Sequence, residues 1–558
     1  MCAVLATAQS CRTERAEHVF RQLSQGLLAL SFVVSLLACG GGGGGGALAP
    51  PAGGSGGGGS GGGSGSLQWI EGVFEPASVY AARCEVPRSG LDGQGRPYPD
   101  QPGSLLHEKF WLRSFSHDLY LWYDEIIDRD PALLPTAEAY FDVLKTDALT
   151  PSGQPKDRFH FSADTEEWEQ QAQSGVRAGY GARWVVLSTT VPRDVRVAFS
   201  EPGSPAAEAG VGRGARVLVV DGIDVVNTTN QAEIQAINAA VFSPPPGSTH
   251  TFTVELADGS EIVATLTAGN VTSTPVQNVR TFDTMTGTIG YLTFNDHIAP
   301  SEQQLIDAVR ELAAAEIDEL ILDLRYNGGG FLTIASQLAY MVAGSAATAG
   351  RAFESLRFND KHPTRNPVTG ELLQPLPFRA TTAAFSAFPS GQPLPSLGLS
   401  RLVVITGSNT CSASETIINA LRGIDLEVIQ IGNRTCGKPF GTYPADNCGT
   451  TWFTTMFQGV NDQGFGDYPD GFSPEGSSGI LGVTLPGCPA ADDLSQPLGS
   501  AEEARIAAAL HFIETGRCPV AAAELPRQHG RVREGKEAAL EDGLMPGPEW
   551  LRNRILLP

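Results

Sequence analysis

Between residues 285 and 520, short apolar runs alternate with segments of helical spacing, and no other feature restricts the possible folds of this chain so strongly. Thr288–Thr293, Glu319–Leu324, Arg401–Thr406 and Glu427–Ile431 read as strands. Residues 302–315, 331–343 and 413–422 read as helices, and in the first Leu305, Ile306, Val309 and Leu312 share one face. This order predicts an α/β layered core. At 558 residues the chain is too long for one compact domain. Residues 176–270 carry shorter β-rich runs, with the hairpin signal Asp258-Gly259 between two of them and one amphipathic helix at 230–241. In 67–170, Leu112, Phe115, Leu119 and Trp122 recur at helical spacing and predict a mostly helical region. The expected fold class is multidomain α+β: a helical N-terminal region (67–170), a small β domain (176–270), an α/β layered core (285–520) and a weakly periodic C-terminal tail (521–558).

Residues 27–38, LLALSFVVSLLA, are too few to span a bilayer and suit the core of a signal peptide. The run ends in Leu36-Leu37-Ala38-Cys39, which looks like a bacterial lipobox, so 1–39 is expected to be a lipoprotein signal with Cys39 as the acylated residue. Residues 40–66 are almost entirely Gly, Ser, Ala and Pro and read as a flexible tether. The expected place is the bacterial cell envelope, lipid-anchored and facing the periplasm. A net charge of -23 repels phosphate backbones and argues against nucleic acid as a partner. Six cysteines remain beyond the leader: Cys84, Cys411, Cys436, Cys448, Cys488 and Cys518. Their even number in an exported chain is compatible with disulfides, and their spacing resembles no structural zinc site. Cys436 and Cys448 flank one turn and could brace it as a pair; left as thiols, they would make it redox-sensitive.

Three segments carry chemistry. In SNTCSASETIINAL (408–421) a strand gives way to a small-residue turn and then a helix. A serine there, Ser412, faces unpaired helix amides that can stabilise an oxyanion, although it also reads as a plain N-cap. In IGNRTCGKPFG (431–441) the spacing Gly432…Gly437-Lys438 approaches a phosphate-binding loop, but Pro439 stands where that loop needs Ser or Thr for magnesium. What remains is a lysine in a turn after a buried strand. In LILDLRYNGGG (320–330) three glycines follow a buried strand and leave their amides open to close approach. Gly210-Val211-Gly212 begins like a dinucleotide fingerprint but lacks the strand–turn–helix context.

Together these segments resemble the carboxyl-terminal processing (tail-specific) serine peptidase family. Its D-x-R-x-N-x-G-G is matched by Asp323-Leu324-Arg325-Tyr326-Asn327-Gly328-Gly329, its S-A-S-E by Ser412-Ala413-Ser414-Glu415, and its later Gly-Lys by Gly437-Lys438. The segment 203–225, GSPAAEAGVGRGARVLVVDGIDV, resembles the core of a PDZ domain, which that family places before its serine-protease core. The resemblance covers about 105–515. It implies Ser412 as nucleophile, Lys438 as its base, and the amides of Ala413 and of Gly328 or Gly329 as the oxyanion hole. It implies no metal and no organic cofactor. It also implies unfolded or C-terminally exposed polypeptides as substrates, captured by strand addition near 179–188 and the 230–241 helix, with Gly179, Gly181, Val185 and Val186 as peptide-binding candidates. Thr442 departs from the Gln often found four residues after the lysine. That departure keeps a second reading open, a lipid-anchored PDZ peptide-binding protein with an inactive protease core. His297 is the imidazole best placed to compete with Lys438 as base.

Overall fold

The computed structural model describes residues 67–519, apart from 94, 386–387 and 478–481, together with the backbone of 554–555. Cys39, the tether and most of the tail lie outside the described residues. The central sheet has six strands in the order Val276–Thr284, Gly287–Phe294, Glu319–Asp323, Arg401–Thr406, Glu427–Gly432 and Gly487–Pro489. The first pair is antiparallel and every later pair is parallel. Side chains alternate across a strand, and here both faces are apolar, as a sheet covered on both sides requires. Leu320, Leu322, Leu402 and Val404 pack on the side of helices Ser301–Ala314, Leu332–Thr348 and Ala413–Gly423. Ile321, Val403, Ile405 and Ile429 pack on the side of helix Ala504–Thr515. Each such fully buried side chain contributes roughly 1.5–3 kcal/mol.

Residues 176–270 form their own sheet, order Glu261–Thr267, Thr249–Glu255, Arg216–Val220, Asp194–Ser200 and Ala182–Ser188, around a separate core with helix Gln231–Phe242. Strand Ala182–Ser188 lies at the edge of that sheet. A polar clasp holds this unit against the central sheet's loops. Arg213 donates to the Tyr326 hydroxyl (2.6 Å), Asp492 Oδ1 (2.6 Å) and the carbonyls of Ala198 and Gln496.

In 67–170, helix Leu105–Leu119 is the one element of helical length among the described residues; the rest is short helices, turns and strands. Phe110, Leu112, Phe115 and Phe141 share one core with Leu292, Leu320 and Trp452, and strand Phe161–Asp164 pairs with Thr450–Phe453. This region therefore wraps the α/β core. The expected Cys436–Cys448 pair is not formed. Cys448 pairs with Cys84, Cys436 with Cys411 and Cys488 with Cys518. Local packing explains the difference. The amide of Cys436 donates to the Thr410 carbonyl (3.0 Å), which turns it toward Cys411. The neighbour of Cys448, Asn447, is held through its side chain by the amide of Ala82 (2.8 Å), beside Cys84. No helix of the described residues is long and apolar enough to cross a membrane.

Candidate active site

Three neighbouring parallel strands, Glu319–Asp323, Arg401–Thr406 and Glu427–Gly432, end at the same edge of the sheet, and each feeds one of the three turns singled out in the sequence. Open α/β sheets place their sites at the carboxyl ends of strands.

The middle strand leads to Ser412, which caps helix Ala413–Gly423 with φ 61° and ψ -119°. A positive φ on a side-chain-bearing residue costs on the order of 1–3 kcal/mol, and such strain gathers at working sites. Ser412 is fully buried. Its hydroxyl lies where a capping oxygen approaches the Glu415 amide, yet it makes no hydrogen bond of normal geometry. Ala413 is the first helical residue, so its amide has no intrahelical acceptor.

The first strand leads to the glycine loop. Arg325, wholly buried, donates to Asp323 (3.0 Å), Glu503 (2.7 and 2.8 Å) and Asp492 (2.8 Å). Despite the cost of burial, these carboxylates hold its guanidinium well above the ordinary range. The carbonyl of Asn327 accepts from the Cys411 amide (3.1 Å) and the Ser414 hydroxyl (3.1 Å), locking the loop to the serine turn. The Gly329 amide donates to Asn327 Oδ1 (2.9 Å), so it is already engaged. Among the described residues the Gly328 amide has no such acceptor, which makes Gly328 the better of the two oxyanion candidates.

The third strand leads to Lys438, which is buried, with Nζ 5.0 Å from the centroid of the Phe159 ring. Its neighbour Phe440 is also buried and meets Trp122 edge-on at 4.7 Å. Thr442 turns its hydroxyl to the Tyr443 carbonyl (3.1 Å). The residue that ties this turn to the serine is Glu415. One of its oxygens accepts from the amides of both Ser412 (2.9 Å) and Lys438 (2.8 Å). The other accepts from the Gly437 amide (2.8 Å) and the Thr435 hydroxyl (2.5 Å). Burial pushes this carboxyl up while its donors pull it down. The Cys411–Cys436 disulfide, Cα atoms 5.1 Å apart, is a second tie between the same two turns. The sequence signal for Glu415 is its place as the fourth residue of a Ser-x-x-Glu capping box starting at Ser412. Cys411, Glu415 and Cys436 gather closely enough to suggest metal ligands, but both sulfurs are in the disulfide and the carboxylate already has four donors.

His297 is buried beside the glycine loop, with Nδ1 2.9 Å from Asn327 Oδ1 and Nε2 without a hydrogen-bond partner. Burial lowers its pKa to about 3. Of the peptide-binding candidates, Gly179 pairs with Gly269 on an adjoining two-stranded ribbon. Gly181, at φ 77°, packs so closely that a Cβ would lie 2.2 Å from Ser204 Cβ. Val185 and Val186 lie on the edge strand. Val186 packs into the small domain's core, and Val185 faces Phe199, Tyr326 and Leu498 on the other side.

The chain is 27% identical over 240 residues to a carboxyl-terminal-processing protease of Picosynechococcus, covering 42% of this chain and 49% of that protein. It is 28% identical over 260 residues to the chloroplastic C-terminal processing peptidase of Tetradesmus obliquus, covering 44% and 48%. It thus spans about half the length of the curated relatives it matches. A solved structure from Bacteroides fragilis named for the S41 proteases shares the fold, with a TM-score of 0.53 at 22% identity over 75% of this chain and 98% of that one. Residues 288–447, which hold all three turns, match Peptidase family S41, and the chain is similar to carboxyl-terminal-processing proteases.

Proposed function

We propose that this chain is a serine endopeptidase that cleaves exported polypeptides with Ser412 and Lys438 as its dyad. The observation that carries the proposal is the Glu415 carboxylate, which binds the amides of both residues through one oxygen and so fixes the two turns side by side. In this reading Ser412 Oγ attacks the scissile carbonyl while neutral Lys438 takes the hydroxyl proton. The amides of Ala413 and Gly328 receive the charge that develops on the carbonyl oxygen. Lys438 then passes the proton to the leaving amine; neutral again, it takes a proton from water, whose attack on the acyl carbon releases the acyl group, and Lys438 returns that proton to Ser412 Oγ. A lysine serves only when neutral, and burial disfavours the charged form.

The small β domain would present substrate by adding a strand to the open edge of Ala182–Ser188, next to helix Gln231–Phe242, as PDZ folds do. Anchoring through an acylated Cys39, with the body in the bacterial envelope, completes the proposal. His297 supports a second reading as base, because its Nε2 is buried without a partner. An imidazole with a pKa near 3 stays neutral but takes up a proton poorly. Incubation with an unfolded protein tests the proposal: the wild type should cleave it and Ser412→Ala should not. Intact substrate with both would leave a peptide-binding protein without protease activity.

A further inference from the structure

Residues 554–555 form a strand parallel to Gly330–Phe331, with Arg554 opposite Gly330 and Ile555 opposite Phe331. On its other side this short segment meets His297. The His297 amide donates to the Gly329 carbonyl (3.1 Å), and the Phe331 amide donates to the His297 carbonyl (2.8 Å). Backbone groups alternate along a strand, so the N–H and C=O of Gly330 itself point away from His297, toward residue 554. The glycine loop therefore offers an open edge one residue beyond Gly328 and Gly329, and a strand from the same chain fills it. That strand also approaches Phe440–Gly441, which directly follow the lysine turn, with Cα atoms within 8 Å. It thus lies alongside both the glycine loop and the lysine turn. In this state Ser412 and Ala413 have no exposed surface and Lys438 has 2%.

Resting on the protease reading above, we infer that the strand Arg554–Ile555 occupies the place where a substrate strand lies beside Ser412, and so competes in cis with polypeptides from outside. Extended-strand addition is sequence-tolerant because backbone groups supply the pairing, so an internal segment and a foreign one can share the edge. Reach is no obstacle. More than thirty residues separate Arg554 from Cys518, which the disulfide to Cys488 fixes to the sheet, and that length extends to about 100 Å. A tether of this length gives an effective concentration on the order of 1 mM, so a segment with an intrinsic Kd of about 0.1 mM raises the apparent KM about tenfold.

The test keeps the full chain and replaces Arg554 and Ile555 by proline, which cannot donate to a ladder. A fluorescent peptide of residues 552–558 is titrated into Ser412→Ala protein with and without the two prolines. It should bind the proline form about tenfold more tightly. In the Ser412 enzyme the prolines should lower KM for an unfolded reporter by a similar factor and leave kcat unchanged. Equal peptide affinity for both forms, or an unchanged KM, would overturn the inference. If neither Ser412 form turns over the reporter, the protease reading fails, and the peptide titration still decides whether the segment fills the edge.

Discussion

Glu415→Gln probes the joint between the two halves of the proposed dyad. The carboxylate supplies two oxygens to four donors: the amides of Ser412, Gly437 and Lys438 and the Thr435 hydroxyl. Glutamine keeps one acceptor oxygen and sets an NH2 where the other stood, so two of the four donors face a donor. A buried group left unsatisfied costs roughly 1–3 kcal/mol, so the loss is about 2–6 kcal/mol, concentrated on the turns that carry Ser412 and Lys438. Much of it will be relieved by those turns moving apart, and a displacement of about 1 Å at a reacting group can cost on the order of 100-fold in rate. Steady-state kinetics on an unfolded reporter, alongside chemical denaturation, should show kcat down by at least that factor, KM little changed and the folded state still populated. Glu415→Asp keeps the charge but shortens the reach, and should not restore turnover. A Glu415→Gln enzyme with wild-type kcat would show that this carboxylate does not hold Ser412 and Lys438 in register.

Replacing Cys411 and Cys436 by serine opens the second tie between the same turns. Closing a loop of 25 residues is worth about 3.5 kcal/mol, and here the loss should appear in kcat, whereas replacing Cys84 and Cys448 should appear mainly in the denaturation midpoint. Kinetics and denaturation of the two double variants check this, and matching kcat values would count against it. Glu201, pushed up to about 7 by burial, binds its proton more tightly in the folded state than in the unfolded one. Stability should therefore fall as pH rises from about 4.5 to about 7. Glu201→Gln should match the wild type at pH 4.5 and exceed it by about 3 kcal/mol above pH 7, read by denaturant midpoints across that window. A constant offset would contradict it.

The strands and helices of the α/β core were legible because both faces of the sheet are buried: continuous apolar runs such as Leu320–Leu322 and Leu402–Ile405 admit little else. Ser412, Lys438 and the glycine loop were legible because each turn follows such a strand. Their mutual attachment was not, since the Glu415 carboxylate and the Cys411–Cys436 bridge join residues through space. The N-terminal region is less helical than its apolar spacing predicts. Outside Leu105–Leu119 its aromatic residues, among them Phe141, Phe161 and Trp168, pack against the 450s hairpin instead of along a helix. Residues 448–490, rich in Gly, Asp and Pro, cannot be placed from the sequence alone, because they contribute short strands to four different sheets, including the sixth strand of the central one. The cysteine pairing failed for a related reason: proximity along the chain favoured Cys436–Cys448, while tertiary packing brought Cys448 to Cys84 across a separation of 364 residues.

In the proposed mechanism Ser412 is a nucleophile activated by Lys438. Labelling with a serine-directed fluorophosphonate, followed by peptide mass spectrometry, reads this without any assumption about the natural substrate. The wild type should carry the adduct on Ser412. Lys438→Ala should lose it while keeping its fold by circular dichroism, and His297→Ala should retain it. An adduct on another serine would contradict the assignment of the nucleophile. Labelling of Ser412 that survives Lys438→Ala and disappears in His297→Ala would transfer the base to the histidine.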